Sequence, residues 1–226
     1  MYILGINAYH GDASACIFKN GELLAAIEEE RIVRIKHWAG FPCESVKFCL
    51  EEAGINITQV DHITIARDPL ANVLKKAVYV LKNLTSIDAV KDRLLNRKKI
   101  SNIVKDFSSC FGIKESDITA KIHNIEHHRS HMASAFFASP FKESAVLSID
   151  AFGDFTSTML GKGVGNKISV VSQVNFPHSI GAFYTAFTQY LGFNHFGDEY
   201  KLMGLSPYGS PTMLKQVRDV VIFKND

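Results

Sequence analysis

The chain has 226 residues, of which 46% are hydrophobic and 21% charged, and it carries a formal net charge of +2. This composition is typical of a globular protein and excludes a disordered, collagen-like or coiled-coil chain. The near-neutral net charge gives no argument for binding to nucleic acid or to a membrane surface. The length allows one large domain or two small ones.

Apolar, β-prone runs predict four strands in the first part of the chain: Tyr2–Ala8, Ala13–Phe18, Leu23–Ile27 and Asp61–Ala66. The Asn20-Gly21 pair predicts a tight antiparallel hairpin between the second and the third strand. Helical spacing of apolar residues predicts a helix over Pro42–Ala53, and Gly54 suits the residue that follows a helix.

The segment Asp68–Phe107 differs from its surroundings because it is polar and basic and has helical periodicity. We expect two helices here, Leu70–Leu84 and Ile87–Phe107, which form an inserted hairpin. The segment has nine lysines and arginines, without the interleaved aromatic residues that single-strand binders use. We interpret its charge as a solvated face and expect no nucleic-acid partner.

The second half of the chain alternates between strand and helix patterns. The predicted strands and helices are, in order, Lys121–Ile125, His127–Ala138, Ala145–Ile149, Phe155–Leu160, Ile168–Phe176 and Ile180–Leu191. Gly161, Gly163 and Gly165 are interpreted as the turn of a hairpin. The whole pattern predicts an α/β fold.

The four cysteines, Cys16, Cys43, Cys49 and Cys110, show no CxxC spacing, so neither a zinc knuckle nor a redox pair is predicted. Free thiols in a reducing cytoplasm are the simpler interpretation. The N-terminus lacks the basic region of a signal peptide, and no apolar run reaches the roughly 18 residues that span a bilayer. We therefore expect a cytoplasmic protein with no membrane partner.

His127 and His131 are four residues apart on a predicted helix, so both imidazoles can reach one divalent metal. His128 points roughly 100° away around the helix and is not a third ligand from the same face. Asp150, at the end of a predicted central strand, is the best third candidate. The alternative is that the histidines only cap or pack the start of a helix. Histidine and carboxylate ligands tolerate iron, manganese or zinc.

Two further segments have the character of ligand-binding sites. His10-Gly11-Asp12 forms a tight turn that could hold phosphate or substrate, or could be an ordinary β-turn. The basic residues that follow the third strand, with Lys36 and His37 at their end, form an anion site or a solvated connection.

The Gly-rich run over residues 197–209 is not a Walker A motif, because the GxxxxGK[ST] order is absent. We interpret it as a loop that faces substrate or nucleotide and contains a helix start. The alternative is a long surface connection.

Five blocks of this sequence resemble the N-terminal portion of the NodU/CmcH carbamoyltransferases: LGINAYHGDASACIFKNGELLAAIEEERIVRIKHWAGFP, HHRSHMASAFFASPF, VLSIDAFGD, SIGAFYTAFTQYLGF and EYKLMGLSPYG. They occur in family order and span most of the chain, whereas the basic insert is the least matched stretch. The resemblance implies an actin-like, ribonuclease-H-like (ASKHA) lobe with a mixed sheet and a helical insert at about 68–107.

The resemblance also implies a reaction. Family members join carbamoyl phosphate and ATP into carbamoyladenylate in a C-terminal YrdC-like domain. The N-terminal domain then transfers the carbamoyl group to a hydroxyl of a small-molecule acceptor at a metal, usually iron(II). There are two alternatives. One is an ATP-dependent kinase of the same superfamily that acts on a sugar or an acid, and the other is a non-catalytic, truncated binding module.

Carried over to this sequence, the family's metal ligands are His127, His131 and Asp150, with a further aspartate from a later segment. Candidate contacts to substrate or nucleotide are Lys36, His37, Lys201 and the amides near Gly204, which we expect at a helix start. His10 or Asp12 is the candidate base for the acceptor hydroxyl.

The sequence departs from the family pattern in two places. Gly11 separates His10 from Asp12, and Ala151-Phe152-Gly153-Asp154 replaces a Gly-Gly-Glu type sequence. Residues 1–226 correspond to the first lobe and the beginning of the second, without the YrdC-like domain. We therefore expect an incomplete, inactive fragment that self-associates, most simply as a homodimer, through apolar surface such as the aromatic helix Ile180–Leu191.

Overall fold

A computed structural model describes residues 1–82 and 103–222 of the chain. The chain divides into two compact units, Met1–Ser130 and His131–Asp226. Within the described ranges, no helix is both long enough and apolar enough to cross a membrane.

The first unit contains a five-stranded mixed sheet in the order β3-β2-β1-β4-β5. Its strands are β1 (Tyr2–Asn7), β2 (Ser14–Lys19), β3 (Glu22–Glu28), β4 (His62–Ile65) and β5 (Lys121–Asn124). The first three strands form an antiparallel meander, and β4 and β5 run parallel to β1. The expected α/β fold class with a mixed sheet is thereby confirmed.

The predicted hairpin between β2 and β3 is also confirmed. Asn20 and Gly21 have φ values of 53° and 90°, which is the left-handed pair that a type I′ turn requires. The meander therefore follows from local sequence alone.

Four helices of the first unit are described: α1 (Glu29–Val33), α2 (Cys43–Glu52), α3 (Val73–Lys82) and α4 (Ile103–Phe111). Helix α2 packs on β2 and β3, and its apolar face joins one continuous core with the sheet. Phe107 of α4 is fully buried in that core, with its ring edge-on to Phe41 at 4.9 Å between centroids. Packing of α2 and α4 thus fixes the segments that flank the insert.

The predicted insert is only partly covered by the described residues. Helix α3 occupies most of the predicted helix Leu70–Leu84, whereas most of the predicted helix Ile87–Phe107 lies outside the described ranges. Its last residues belong to α4, which continues to Phe111 instead of ending at Phe107.

The second unit is built on a three-stranded antiparallel sheet in the order β6-β7-β8. Its strands are β6 (Glu143–Gly153), β7 (Thr156–Val164) and β8 (Lys167–Asn175). Three helices follow: α6 (Ile180–Tyr190), α7 (Glu199–Leu205) and α8 (Leu214–Val220). Helix α5 (His127–Phe137) precedes the sheet and continues across the division after Ser130.

A small core connects α5 to this sheet, formed by Met132, Phe136, Val146 and Met159. The interpretation of Gly161 and Gly163 as turn residues was wrong, since both lie inside β7. A Cβ at Gly163 would lie 2.7 Å from the Phe136 ring, and one at Gly161 would overlap the end of Met132. These glycines therefore provide room for the side chains of α5.

The interpretation of all four cysteines as free thiols was also wrong. Cys43 and Cys110 form a disulfide between the first residue of α2 and the last turn of α4, with Cα atoms 5.8 Å apart. Cys16 and Cys49 are free. The 67-residue separation of the bonded pair explains why no short-range spacing indicated it.

Candidate functional site

Helix α5 begins at His127, directly after the buried Glu126. The Glu126 carboxylate accepts a hydrogen bond from the Arg129 amide at 2.8 Å, which satisfies one of the free N–H groups of the first turn. His127 and His131 lie one turn apart on this helix and therefore share a face. His128 is fully buried, in agreement with its predicted position on another face.

Asp150 lies on β6, in the part of the strand where its register with β7 shifts. Its Oδ2 atom is 3.6 Å from His131 Nε2, and Oδ1 accepts a hydrogen bond from the Ala151 amide at 2.6 Å. Two ligand atoms that are each about 2.1 Å from one cation are about 3–3.5 Å apart, so the contact between His131 and Asp150 is slightly longer than the spacing of two ligands on a shared metal. The strand continues to Gly153, so Asp150 is not at its end as predicted.

The start of α6 holds the backbone of Asp150 in place. Ser179 caps this helix, and its hydroxyl donates to the Ala151 carbonyl at 2.7 Å. A Cβ added to Gly181 in the first turn would lie 2.5 Å from the carbonyl of Asp150. The close approach of α6 to β6 therefore depends on glycine at this position.

In the first unit, the turn between β1 and β2 brings Asp12 to His37. The Nδ1 atom of His37 is 2.8 Å from Asp12 Oδ1, and the His37 amide donates to Glu30 Oε2 at 2.8 Å. Asp12, Glu30 and His37 each offer a ligand atom within 4.8 Å of the other two. From the sequence, Asp12 is predicted as a base and His37 as a contact to substrate or nucleotide, and Glu30 has no predicted role.

Backbone hydrogen bonds join this turn to the loop that carries His37. The Ala13 amide donates to the Trp38 carbonyl at 2.9 Å, and the Tyr9 amide donates to the Gly40 carbonyl at 3.2 Å. Asp12 and His37 both have positive φ values, 61° and 56°. Such conformations persist only where the surroundings determine them, so the two loops form one preorganised structure.

His10 lies in the same turn, and its ring centroid is 6.2 Å from that of His127. Lys36, the neighbour of His37, is exposed. Within the first unit, the structure therefore brings His10 near the first metal-ligand candidate and pairs Asp12 with His37.

In the second unit, Lys201 lies in the first turn of α7 and its ammonium contacts Asp198 Oδ1 at 2.6 Å. This hydrogen bond raises the pKa of Lys201 and lowers the pKa of Asp198. Gly204 lies in the last turn of the helix, so the expectation of helix-start amides near Gly204 was wrong.

Sequence reasoning missed the role of the acidic run after β3. Glu29 is buried, and its carboxylate accepts the amides of Glu44 at 3.1 Å and Ser45 at 2.7 Å, at the start of α2. Tyr9 was also missed: its hydroxyl donates to the Asp106 carboxylate of α4. Burial, together with Asp106, raises the pKa of Tyr9 well above its usual value.

Known proteins resemble this chain in sequence over most of its length. A family model described as "Carbamoyltransferase N-terminus" matches residues 2–222. An uncharacterised protein of Synechocystis sp. (sll1178) is 40% identical over 224 residues, covering 96% of this chain and 36% of the relative. The nodulation protein NolNO of Sinorhizobium fredii is 35% identical over 206 residues, covering 91% of this chain and 29% of the relative.

The chain therefore spans about a third of the length of these curated relatives. Among solved structures, it is similar to YeaZ from Pseudomonas aeruginosa, with 12% identity and a TM-score of 0.42. That match covers 78% of this chain and 68% of YeaZ.

Proposed function

Because the chain belongs to the family of carbamoyltransferase N-terminal domains, we propose that it is the acceptor-side domain of an enzyme that carbamoylates a hydroxyl of a small molecule. The proposed donor is carbamoyladenylate, made from carbamoyl phosphate and ATP. The observation that carries this proposal is the contact between His131 and Asp150, in a chain whose sequence matches this family over residues 2–222.

The proposed ligands of a divalent metal, iron(II) by family resemblance, are His127, His131 and Asp150. Two imidazoles one turn apart on α5 and a carboxylate 3.6 Å from the second imidazole support this assignment. When bound, such a cation supplies Lewis acidity toward the carbonyl of the carbamoyl donor. Ser179 already holds the backbone of Asp150, so the Asp150 backbone would reorganise little when a cation binds.

The acceptor hydroxyl has to lose its proton as it attacks the carbamoyl carbon. We assign the acceptance of this proton to Asp12 and its partner His37, with His10 as the alternative. When Asp12 accepts a hydrogen bond from Nδ1 of His37, the basic nitrogen of the ring is Nε2. The Glu30 carboxylate holds the backbone of His37 and thereby fixes the position of the imidazole.

Three residues remain proposed contacts to the anionic part of the donor: Lys36, His37 and Lys201. Lys36 is exposed next to the preorganised first turn. The pairing of Lys201 with Asp198 fixes the ammonium at the start of α7, where a phosphate could replace part of the contact. Gly204 is not among them, because it lies in the last turn of α7 and has no free amide at a helix start.

The test of this function separates binding from turnover. We expect the purified 226-residue chain to bind iron(II) but to release neither AMP nor carbamoylated product from ATP, carbamoyl phosphate and a small-molecule acceptor with a free hydroxyl group. The reason is that we assign donor synthesis to a separate, YrdC-like domain of this family. Chromatography of the nucleotides and mass spectrometry of the acceptor measure the outcome. Turnover by this chain alone would contradict the assignment of donor synthesis to another domain.

A further inference from the structure

The Cys43–Cys110 disulfide has no part in the proposed carbamoyl transfer. It joins the start of α2 to the last turn of α4, and its Cα separation of 5.8 Å lies within the usual range. Both cysteines are half-buried, so small thiols and disulfides in solution can reach the pair. The bond closes a long loop of the chain that includes α3.

The other two cysteines are free thiols, of which Cys16 is half-buried and Cys49 is buried. Cys49 is fully buried, and burial raises the pKa of its thiol to about 12. Burial also raises the pKa of Cys16. Because the thiolate is the reactive species in disulfide exchange, these two thiols react slowly. Cys43 and Cys110 are therefore the pair expected to exchange, and Cys16 and Cys49 are internal controls for thiol labelling.

Helix α4 connects this disulfide to the turn between β1 and β2. Asp106 lies four residues before Cys110, one helical turn away on the same side of α4. Its carboxylate accepts the hydrogen bond from Tyr9, the residue directly before His10. Tyr9 has a φ of 60°, a conformation that its surroundings must maintain. Displacement of α4 would therefore loosen the turn that carries Asp12.

We propose that Cys43 and Cys110 form a reversible regulatory disulfide, which holds α4 against α2 and, through Asp106 and Tyr9, orders the His10–Asp12 turn. Its chemistry is thiol–disulfide exchange with glutathione. One Cys thiolate attacks glutathione disulfide and releases one glutathione thiolate, and the second Cys thiolate then displaces the other. The two thiol protons end on two molecules of reduced glutathione, so atoms and electrons balance.

The experiment equilibrates the chain with mixtures of reduced and oxidised glutathione, blocks free thiols and maps them by mass spectrometry. We expect Cys43 and Cys110 to change together from bonded to labelled as the mixture becomes reducing. Cys49, which is fully buried, should label only after denaturation, and Cys16, whose pKa is raised by burial, should label more slowly than the reduced pair. Labelling of Cys43 and Cys110 in every mixture, or pairing of either with another cysteine, would overturn the proposal.

Hydrogen exchange tests the connection to the turn. The amides of Tyr9 and Ala13 flank the turn between β1 and β2 and are hydrogen-bonded to the loop after α1. Their exchange rates therefore report how well this turn is ordered. We expect reduction to speed their exchange at least about fivefold, and Tyr9→Phe to remove that dependence while the disulfide still forms. Unchanged exchange on reduction of the unsubstituted chain would refute the coupling. None of these measurements depends on carbamoyl transfer.

Discussion

At the residue scale, the neighbouring histidines of α5 lie in opposite surroundings. His128 is fully buried, whereas the His131 side chain is 53% exposed and faces Asp150. Removal of His128 would therefore perturb the fold, and it is unsuitable as a control for metal binding. His178 is exposed in the second unit and is a better control.

We expect His131→Ala to lower iron(II) affinity more than about 100-fold, because loss of an outer-shell partner alone costs 10–100-fold. His178→Ala should leave the affinity unchanged. Anaerobic titration with elemental analysis measures both variants. Equal affinities for the two variants would remove His131 from the ligand set.

The close approach of Gly181 to the backbone of Asp150 gives a second prediction. Gly181→Ala places a Cβ 2.5 Å from the Asp150 carbonyl, so we expect destabilisation of about 1–3 kcal/mol and weaker metal binding. Gly204→Ala is the matched control, since nothing lies within 4 Å of its added Cβ in α7. There we expect a gain of about 0.5–1 kcal/mol. Urea denaturation would disprove the packing argument if Gly181→Ala were also stabilising.

At the scale of elements, α1 serves to place Glu29 beneath the start of α2. Its buried carboxylate accepts two amides there, where the helix dipole favours negative charge. The neighbouring Glu28 is half-buried, and its carboxylate forms an ion pair with the exposed Arg31. The same residue type is therefore structural at one position and peripheral at the next.

Glu29→Ala should lower the free energy of unfolding by about 1–3 kcal/mol, because two amides of α2 lose a charged acceptor. Glu28→Ala should change it by less than about 0.5 kcal/mol, as expected for a surface ion pair. Chemical denaturation monitored by circular dichroism compares the two. Similar losses in both variants would contradict the capping role.

Most elements of this fold could be predicted from local sequence, and the exceptions have physical reasons. Periodicity and turn residues indicated the meander, α2 and α5. Helix α1 has five residues, too few to show a helical period. The Cys43–Cys110 bond and the contact of Asp12 with His37 join distant segments and therefore depend on the tertiary fold. The pair His127 and His131 was recognisable because one helix spaces both ligands.

At the scale of the whole molecule, apolar side chains remain exposed on the described residues of the second unit. Tyr190 on α6 has an exposed fraction of 84%, and Leu147 on β6 has one of 58%. We propose that such surface is covered by a second copy of this chain in solution, because exposed apolar patches on a soluble protein usually contact another surface.

Sedimentation at micromolar concentration should therefore show a dimer. Tyr190→Asp should shift the equilibrium toward monomer, because it places a charge in the aromatic surface of α6. Val220→Asp, at a 66% exposed position on α8, is the control and should leave the association unchanged. A monomeric unsubstituted chain would contradict the proposed dimer.

The two glycines of β7 also bear on which ions the proposed metal site would accept. Gly161 and Gly163 let Met132 and Phe136 approach the strand closely, so this part of α5 is packed tightly against the sheet. The direction of His131 is then set by packing before any ion arrives. Ligands that cannot adjust their spacing discriminate among cations by radius and preferred geometry as well as by ligand chemistry. Enlarging either glycine should therefore broaden the range of ions accepted, even where affinity for iron(II) survives.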